Sequence, residues 1–186
     1  MKIGIVSDTH RNIEYLEKVA DWAIKKQKIA ALYHLGDDYD DVAGLADRYI
    51  EIVQVPGIYD ERYKNGTLQA KTFELVLGLT IMLVHSYDKD VTEKDISKSD
   101  IILSGHTHHW QLELEDGRFY MNPGHLKGPL DKNMPPTFGI LNILDREVTA
   151  SIYDLNFTLV QSVELVRAEN GLYKASTDCT SVKLRS

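Results

Sequence analysis

The chain has 186 residues, the size of one ordinary domain, and a chain of this length hides roughly 70% of its unfolded surface when it folds. Apolar residues make up 43% and charged residues 26%, which is typical of a soluble globular protein. The formal net charge of −7 argues against stable nucleic-acid binding, which usually needs a basic face. It does not exclude a phosphate substrate, because bound cations reverse the local field.

The single cysteine, Cys179, excludes an internal disulfide and is consistent with a reducing cytoplasm. No apolar stretch approaches the roughly 20 residues of a membrane-spanning helix. The apolar run at residues 3–6 is too short for a signal-peptide core, so we interpret it as the first buried strand. These features predict a cytoplasmic protein with no membrane partner.

The N-terminal half alternates strand-like and helix-like patterns. Asn12 can cap a helix over residues 13–24, whose apolar residues recur at helical spacing. A shorter helix is predicted over residues 42–49. Strands are predicted at residues 3–6, 30–35 and 50–55. This alternation predicts a parallel or mixed sheet with helices outside it.

The C-terminal half is predicted to consist mainly of antiparallel hairpins, with turns at residues 78–79, 116–117 and 145–147. A short buried strand at residues 101–103 and a helix beginning after Thr92 separate them. Both halves fit an α/β fold, a four-layer α/β/β/α sandwich of two mixed sheets with outer helices. We assign residues 1–165 to this domain, and residues 166–186, which have poor periodicity, to a tail of the same domain with no predicted structure.

Histidine and aspartate side chains follow four of the predicted strands within a few residues. They are Asp8 and His10, Asp37, His85, and His106 with His108. Open sheets bind ligands beyond strand ends, and in Asp-Thr-His and His-Thr-His the outer residues of an extended backbone point the same way. The mixed oxygen and nitrogen set suits zinc, manganese, iron or nickel better than calcium or magnesium, and it exceeds what one cation needs. We therefore predict a site for two divalent cations.

A single Asp or His at a strand end is usually a cap or a turn residue, and that interpretation would hold for any one of these alone. Its weight falls when six such residues follow four strands. We interpret His34 as a packed or second-layer histidine and His109 as a surface residue. Asp38, Asp40 and Asp41 fit a solvated loop and helix cap, and Cys179 is interpreted as structurally incidental.

Several short segments between residues 7 and 124, taken together, resemble the calcineurin-like metallophosphoesterase superfamily, in particular its small single-domain prokaryotic phosphodiesterases similar to YfcE. They are Ser7-Asp8-Thr9-His10, Gly36-Asp37, Pro56-Gly57-Ile58-Tyr59-Asp60, Val84-His85-Ser86, Gly105-His106-Thr107-His108 and Asn122-Pro123-Gly124. The fold that the resemblance implies is the same four-layer sandwich.

The resemblance also implies roles. Asp8, His10 and His108 would hold the first metal, His85 and His106 the second, and Asp37 would bridge both. A hydroxide between the metals would attack the phosphorus of a small phosphoester in line with the leaving oxygen. Manganese is the first expectation, with nickel, iron or zinc as alternatives. The expected catalytic residues are Asp37, His85, Tyr59 and Asp60, while Asn122 and the turn at Gly124 would stabilise the nearby loop, which continues with His125 where the family often has Ser.

The chain departs from the family pattern at Ile58, where the family has a metal-binding and phosphate-contacting Asn. Isoleucine cannot ligate a cation, so the second site is expected to be weaker. Tyr59 stands where some members have a histidine general acid, which favours good leaving groups because the pKa of a phenol is near 10. The alternatives are a low-activity or non-catalytic scaffold resembling the retromer metallophosphoesterase-like subunit, and a metal-binding regulatory domain. The hairpins are also compatible with a homodimer.

Overall fold

The computed structural model describes residues 1–175, and Cys179 and the rest of the tail lie outside the described residues. One sheet has seven strands in the order β12-β11-β10-β9-β1-β2-β3. Its strands are β1 (Lys2–Val6), β2 (Ala31–His34), β3 (Glu51–Gln54), β9 (Thr137–Ile143), β10 (Glu147–Asp154), β11 (Leu159–Ala168) and β12 (Gly171–Lys174). β1, β2 and β3 are parallel, whereas β9 to β12 pair antiparallel.

The second sheet has five strands in the order β4-β5-β6-β8-β7. They are β4 (Lys71–Val76), β5 (Leu79–Val84), β6 (Ile101–Ser104), β7 (Trp110–Glu115) and β8 (Arg118–Pro123). The parallel pairs β5–β6 and β6–β8 form its centre, and β4 and β7 pair antiparallel at the edges. The turn at residues 116–117 lies where it was predicted, whereas the turn between β4 and β5 lies at residues 77–78, one residue earlier than predicted, because Leu79 already belongs to β5.

The helices are short. α1 (Ile13–Trp22) begins at Asn12, whose side-chain oxygen accepts from the Tyr15 N–H, and it continues into a π-helical segment, Ala23–Gln27. The predicted 42–49 helix is a 3-10 helix, Tyr39–Arg48. The others are α2 (Glu61–Lys64), α3 (Tyr87–Asp90) and α4 (Glu93–Lys98), the last with a capping box between Thr92 and Asp95. None of the helices within residues 1–175 has the length and apolarity that crossing a bilayer requires.

Two apolar clusters hold the layers together. The larger joins the inner faces of the two sheets, with Ile5, Leu83, Leu103 and Met121 among its buried members. The smaller packs α1 and the 3-10 helix on the other face of the seven-stranded sheet. The fold is therefore mixed α/β with two mixed sheets and helices, as predicted.

The sheet extends further than the sequence pattern indicated. β11 runs through residue 168 and β12 to residue 174, so part of the segment from residue 166 is an ordered hairpin. Most β11 residues are exposed or half-buried, so the strand lacks the alternation that marks a half-buried strand. It is held by its backbone ladder with β10.

The carboxyl ends of β1, β2, β5 and β6 meet at one edge of the sandwich. Within the sheets, the Asp8 N–H donates to Gly36 O at 2.9 Å and the Gly105 N–H donates to His85 O at 3.0 Å. Between the sheets, the His106 N–H donates to Asp8 Oδ2 at 2.9 Å. The loops after all four strands are thereby brought together.

Candidate metal centre

One cluster of side chains at this edge can hold a cation. Ligand atoms of Asp8, His10, Asp37 and His108 all lie within 4.8 Å of one another. His108 Nε2 is 3.0 Å from Asp8 Oδ1, and the Nε2 atoms of His10 and His108 are 3.4 Å apart. Two imidazole nitrogens and two carboxylates that converge in this way form a donor set suited to a divalent transition metal.

The Asp37 carboxylate faces two groups of histidines. Its Oδ2 is 3.4 Å from His10 Nε2, and its Oδ1 is 3.3 Å from His85 Nε2. The two oxygens of the Asp37 carboxylate thus lie close to two different imidazoles. His10 follows a strand of the seven-stranded sheet, and His85 follows a strand of the five-stranded sheet. This is the arrangement that a ligand shared between two cations requires.

His85 is oriented as a ligand would be. Its Nδ1–H donates to Leu35 O at 2.7 Å, which fixes the tautomer and leaves Nε2 free. The Nε2 atom is buried and has no hydrogen-bond partner within the described part of the chain. A buried polar atom without a partner is costly, so this orphaned nitrogen beside Asp37 fits a cation ligand.

His106 lies next to His85, with ring centroids 5.1 Å apart. Partial burial and the neighbouring His85 lower the pKa of His106, so its imidazole is neutral and able to bind a metal near pH 7. Asp37, His85 and His106 therefore lie together as a second candidate group of ligands. The structure thus brings all six predicted ligand residues to one edge.

Asp8 is held at one oxygen. Oδ2 accepts from Ser7 Oγ at 2.6 Å and from the His106 N–H, whereas Oδ1 lies 3.0 Å from His108 Nε2 and is buried without a hydrogen-bond partner among the described residues. Burial acts to raise the pKa of Asp8, but the neighbouring His108 and His85 side chains and the Ser7 hydroxyl outweigh it, and the pKa is lowered. Asp8 is therefore an ionised carboxylate in the core of the site.

Two glycines are required by the close approach of ligand-bearing loops. A Cβ at Gly57 would lie 1.9 Å from Asp37 Oδ1, and a Cβ at Gly105 would lie 2.0 Å from Ser7 Oγ. Any side chain at either position would displace Asp37 or the loop that carries Asp8. These contacts give the physical reason for glycine in the Pro-Gly and Gly-His segments.

The backbone at the site is strained. Five of the six predicted ligands have positive φ: Asp8 (52°), His10 (46°), Asp37 (48°), His106 (67°) and His108 (67°). Left-handed backbone is uncommon for residues other than glycine, and it concentrates where function requires a fixed geometry. The extended backbone predicted for Asp8-Thr9-His10 and His106-Thr107-His108 is therefore wrong, although all four outer side chains lie at the same edge of the sandwich.

Asn122 holds the loop that carries His106 and His108. Its Nδ2 donates to Gly105 O at 2.8 Å and to Thr107 Oγ1 at 3.1 Å, and its Oδ1 accepts from the Gly124 N–H at 3.0 Å. Asn122 thus makes the contacts with this loop that the resemblance implied.

Sequence reasoning missed Asp131. Its Oδ2 is 2.5 Å from His108 Nδ1, and Lys127 Nζ binds its other oxygen at 2.8 Å. Hydrogen bonds from Lys127 and His108 lower the pKa of Asp131 to about 2. The carboxylate fixes the His108 tautomer with Nε2 toward Asp8. No local pattern marks Asp131, because it lies 23 residues from its partner in an irregular loop.

His34 is fully buried, as the packed-histidine interpretation requires. Burial lowers the pKa of His34 to about 4, so the ring is neutral. Thr9 Oγ1 donates to Asp41 Oδ2 at 2.6 Å and lies 3.1 Å from His34 Nε2. His109 is exposed, and among the three acidic loop residues Asp41 alone hydrogen-bonds Thr9.

Tyr59 and Asp60 lie in a cleft that opens from His10 and Asp37. Tyr59 is 72% exposed. Asp60 caps α2 and binds Arg62, with Oδ1 accepting from Nε at 3.1 Å and Oδ2 from Nη2 at 2.8 Å. These bonds occupy both Asp60 oxygens. Ile58, half-buried between Gly57 and Tyr59, brings no polar atom on its side chain to the centre.

The solved structures that this fold resembles include three of direct interest. An archaeal phosphodiesterase is 23% identical, with a TM-score of 0.65, covering 90% of this chain and 100% of that chain. YfcE, a phosphoesterase from E. coli, is 19% identical, with a TM-score of 0.66, covering 88% and 98%. Vps29 from Entamoeba histolytica in complex with Zn²⁺ is 18% identical, with a TM-score of 0.64, covering 89% and 99%.

A family model, the calcineurin-like phosphoesterase superfamily domain, matches residues 1–146. The match covers every segment of the chain that carries a candidate ligand. The chain therefore belongs to the calcineurin-like phosphoesterase superfamily.

Proposed function

We propose that the protein is a metal-dependent phosphodiesterase that uses two divalent cations. Asp8, His10 and His108 would hold the first cation, His85 and His106 the second, and Asp37 both. Manganese is the proposed ion, with nickel, iron or zinc as alternatives. The phosphodiesterase and phosphoesterase descriptions of the archaeal protein and of YfcE support this choice of reaction.

The observation that carries the proposal is the position of Asp37. One carboxylate oxygen lies 3.4 Å from His10 Nε2 and the other 3.3 Å from His85 Nε2, and that His85 nitrogen is buried without a partner. A buried imidazole nitrogen without a hydrogen-bond partner costs free energy, and a cation bound between it and Asp37 would offset that cost. Two adjacent ligand groups that share a carboxylate fit the two-cation chemistry of phosphate ester cleavage.

The residues of the chain would bind and orient the phosphodiester and would limit access to it. When bound, the cations supply Lewis acidity, which lowers the pKa of water and neutralises charge on the phosphoryl oxygens. Leu35 O and Asp131 hold the rings of His85 and His108 in fixed tautomers. Tyr59 lies at the open side of the cleft and would hydrogen-bond a substrate oxygen, while Asp60 holds Arg62 on the same lining.

The second cation would bind more weakly than the first. The Asn of the family pattern is replaced by Ile58, so Asp37, His85 and His106 are the protein ligands that remain. Losing one ligand or supporting contact costs about 10–100-fold in metal affinity or activity. Because a phenol is in general a poor proton donor at neutral pH, turnover would favour substrates with good leaving groups.

The test is hydrolysis of bis-(p-nitrophenyl) phosphate by protein loaded with micromolar Mn²⁺ or Ni²⁺. We expect release of p-nitrophenol by the native protein and loss of at least about 100-fold in Asp37→Ala, because Asp37 is assigned to both cations. Turnover no higher than that of the Asp37→Ala variant would overturn the assignment as an enzyme and favour the scaffold alternative.

A further inference from the structure

A second cavity borders the metal centre on the face of the five-stranded sheet that points away from the other sheet. Its volume is about 220 Å³, and its lining includes Ser86, His106 and Asn122. Because His106 is also a candidate ligand of the second cation, one end of the cavity lies at the ligand cluster. A phosphodiester whose phosphate lay on that cluster could therefore place one of its two alcohol groups in this cavity.

The floor of the cavity follows from the alternation of side chains along β7 and β8. Met121 of β8 points into the core between the sheets, so its neighbours Tyr120 and Asn122 point to the opposite face. In the register of the two strands, Glu113 lies across from Tyr120 and Gln111 lies across from Asn122. The floor is therefore a polar part of the sheet that carries one aromatic ring.

The wall of the cavity is the start of α3. Because α3 and α4 have only four and six residues, they leave this end of the outer sheet face uncovered. Tyr87, the first residue of α3, lies with its ring centroid 6.0 Å from that of Tyr120, and the two ring planes meet at 74°. Such edge-to-face pairs are a favoured aromatic geometry. Wall and floor thus each present an aromatic ring to a group that enters.

Ser86 is a buried polar residue of the lining that does not cap its helix. It stands at the N-cap of α3, is 4% exposed, and makes no capping hydrogen bond with its side chain. Serine at an N-cap usually accepts a hydrogen bond from the helix backbone, and buried polar side chains usually have a partner. Because Ser86 lines the cavity, a hydrogen-bonding group of a ligand would supply that partner.

The charge and size of the cavity restrict its occupant. Its lining has exposed carboxylates at Asp88, Glu113 and Glu115 and, among the described residues, no lysine or arginine. A second phosphate would therefore be repelled, whereas the cations of the proposed function would hold the phosphate at the ligand cluster. The volume is below the range of about 300–1,000 Å³ that drug-sized ligands occupy, so it suits one flat ring system with hydrogen-bonding groups at its edge.

We propose that the substrate is a phosphodiester of a nucleoside, whose base lies in this cavity against Tyr87 while the phosphate lies on the ligand cluster. Nucleobases stack on aromatic side chains, and their edges carry the groups that Ser86 would bind. The inference rests on the proposed phosphodiesterase function and adds the class of alcohol. In the reaction a water oxygen forms the new bond to phosphorus, the P–O bond to the other alcohol breaks, and that alcohol takes up a proton of the water.

The test compares two p-nitrophenyl phosphodiesters that differ only in the base. One is the 5′ ester of thymidine, and the other is its abasic analogue, in which hydrogen replaces the base. Both carry one negative charge and release p-nitrophenol. With metal-loaded protein we expect kcat/KM to be about tenfold higher for the thymidine ester, an effect within the range that stacking of one base on an aromatic side chain produces.

Three variants attribute this ratio to the cavity. Tyr87→Ala removes the ring of the wall, and we expect the ratio to fall several-fold. Tyr87→Phe retains the ring and should retain most of the ratio. Tyr173→Ala removes an exposed tyrosine of β12, which does not line the cavity, so the ratio is expected to stay at its native value.

A binding measurement tests the inference without turnover. In ¹⁵N-labelled protein loaded with Zn²⁺, thymidine 5′-phosphate should shift the amide NMR signals of Tyr87 and Tyr120 far more than 2-deoxyribose 5-phosphate does. Hydrolysis of neither ester would overturn the proposed function. Equal hydrolysis of both esters, a ratio unchanged in Tyr87→Ala, or equal shifts with the two phosphates would overturn the inference about the nucleoside and leave the phosphodiesterase assignment standing.

Discussion

A single carboxylate in an irregular loop fixes one of the candidate metal-binding imidazoles. Asp131 Oδ2 lies 2.5 Å from His108 Nδ1, and Lys127 holds its other oxygen. Because His108 Nδ1 donates to this carboxylate, Nε2 is the nitrogen directed to Asp8 and to the candidate ligand cluster. A carboxylate behind a ligand histidine also raises the basicity of the ring, which strengthens its bond to a metal.

Removal of this carboxylate is predicted to weaken the first cation site. Asp131→Ala should lower the affinity for Mn²⁺ about 10–100-fold, the usual cost of losing such a supporting contact, as measured by titration calorimetry. Asp131→Glu should recover part of the affinity, because it retains a carboxylate.

Asp145→Asn provides the matched control, since Asp145 is an exposed aspartate in a hairpin turn at the other end of the sheet. Native affinity in Asp131→Ala would show that His108 needs no such partner. A loss of affinity that Asp131→Glu does not reverse at all would point to collapse of the loop instead.

Ile58 gives a second prediction at the scale of one residue. It directly follows Gly57, whose backbone packs against the Asp37 carboxylate, so an amide side chain at position 58 would lie beside the second group of ligands. Ile58→Asn is predicted to raise the affinity of the second cation about 10-fold or more, because it adds an oxygen ligand.

Calorimetric titration with Mn²⁺ can resolve the two binding steps. Ile58→Leu is the control, because it changes the shape of the side chain without adding a ligand. If Ile58→Asn and Ile58→Leu give the same stoichiometry and affinities as the native protein, the proposed weakness of the second site does not originate at this position.

At the scale of elements, the sequence predicted the helices, strands and turns that depend on short-range patterns. The hairpin around Asp116-Gly117 and the strand before Asp8 were found because turn residues and apolar runs lie next to each other in the chain. The candidate ligands could be named for the same reason, since each follows the end of a buried strand by a few residues. Their convergence then required only that parallel neighbours end at the same edge.

The elements that the sequence did not predict depend on distant contacts. β11 is mostly exposed and is defined by its pairing with β10 and β12, so its own residues carry no clear alternation. Residues Tyr39–Arg48 form a 3-10 helix, although the spacing of their apolar residues fits an α-helix equally well. Asp131 reaches His108 because the loop after β8 folds back, and no spacing rule describes such a loop.

The loop over residues 124–136 connects the two ligand-bearing regions. The Leu126 N–H donates to the carbonyls of Ser7 and Asp8, each at 3.2 Å, on the side of the seven-stranded sheet. On the side of the five-stranded sheet, Lys132 Nζ donates to the carbonyls of His106 and Thr107. This element therefore holds the loops of both sheets in the spacing that the ligand cluster needs.

At the scale of the whole molecule, the ligand cluster joins the two sheets of the sandwich. Asp8, His10 and Asp37 come from the seven-stranded sheet, whereas His85, His106 and His108 come from the five-stranded sheet. A cation held between them would bind only when both sheets are assembled. Metal binding should therefore stabilise the entire fold and not one loop.

The last prediction is that divalent metal raises the thermal unfolding temperature. A ligand at one hundred times its Kd that binds only the folded state adds about 2.7 kcal/mol per site. For a protein of this size about 1 kcal/mol corresponds to about 2–4 °C, so saturation with Mn²⁺ should raise Tm by about 5–10 °C relative to protein in EDTA. The increment should be largely lost in Asp37→Ala, which removes the carboxylate shared by both ligand groups, and retained in Asp145→Asn. An equal Tm with Mn²⁺ and with EDTA would mean that the cluster does not bind the metal across the two sheets, because a cross-sheet ligand cannot bind the folded state alone without stabilising it.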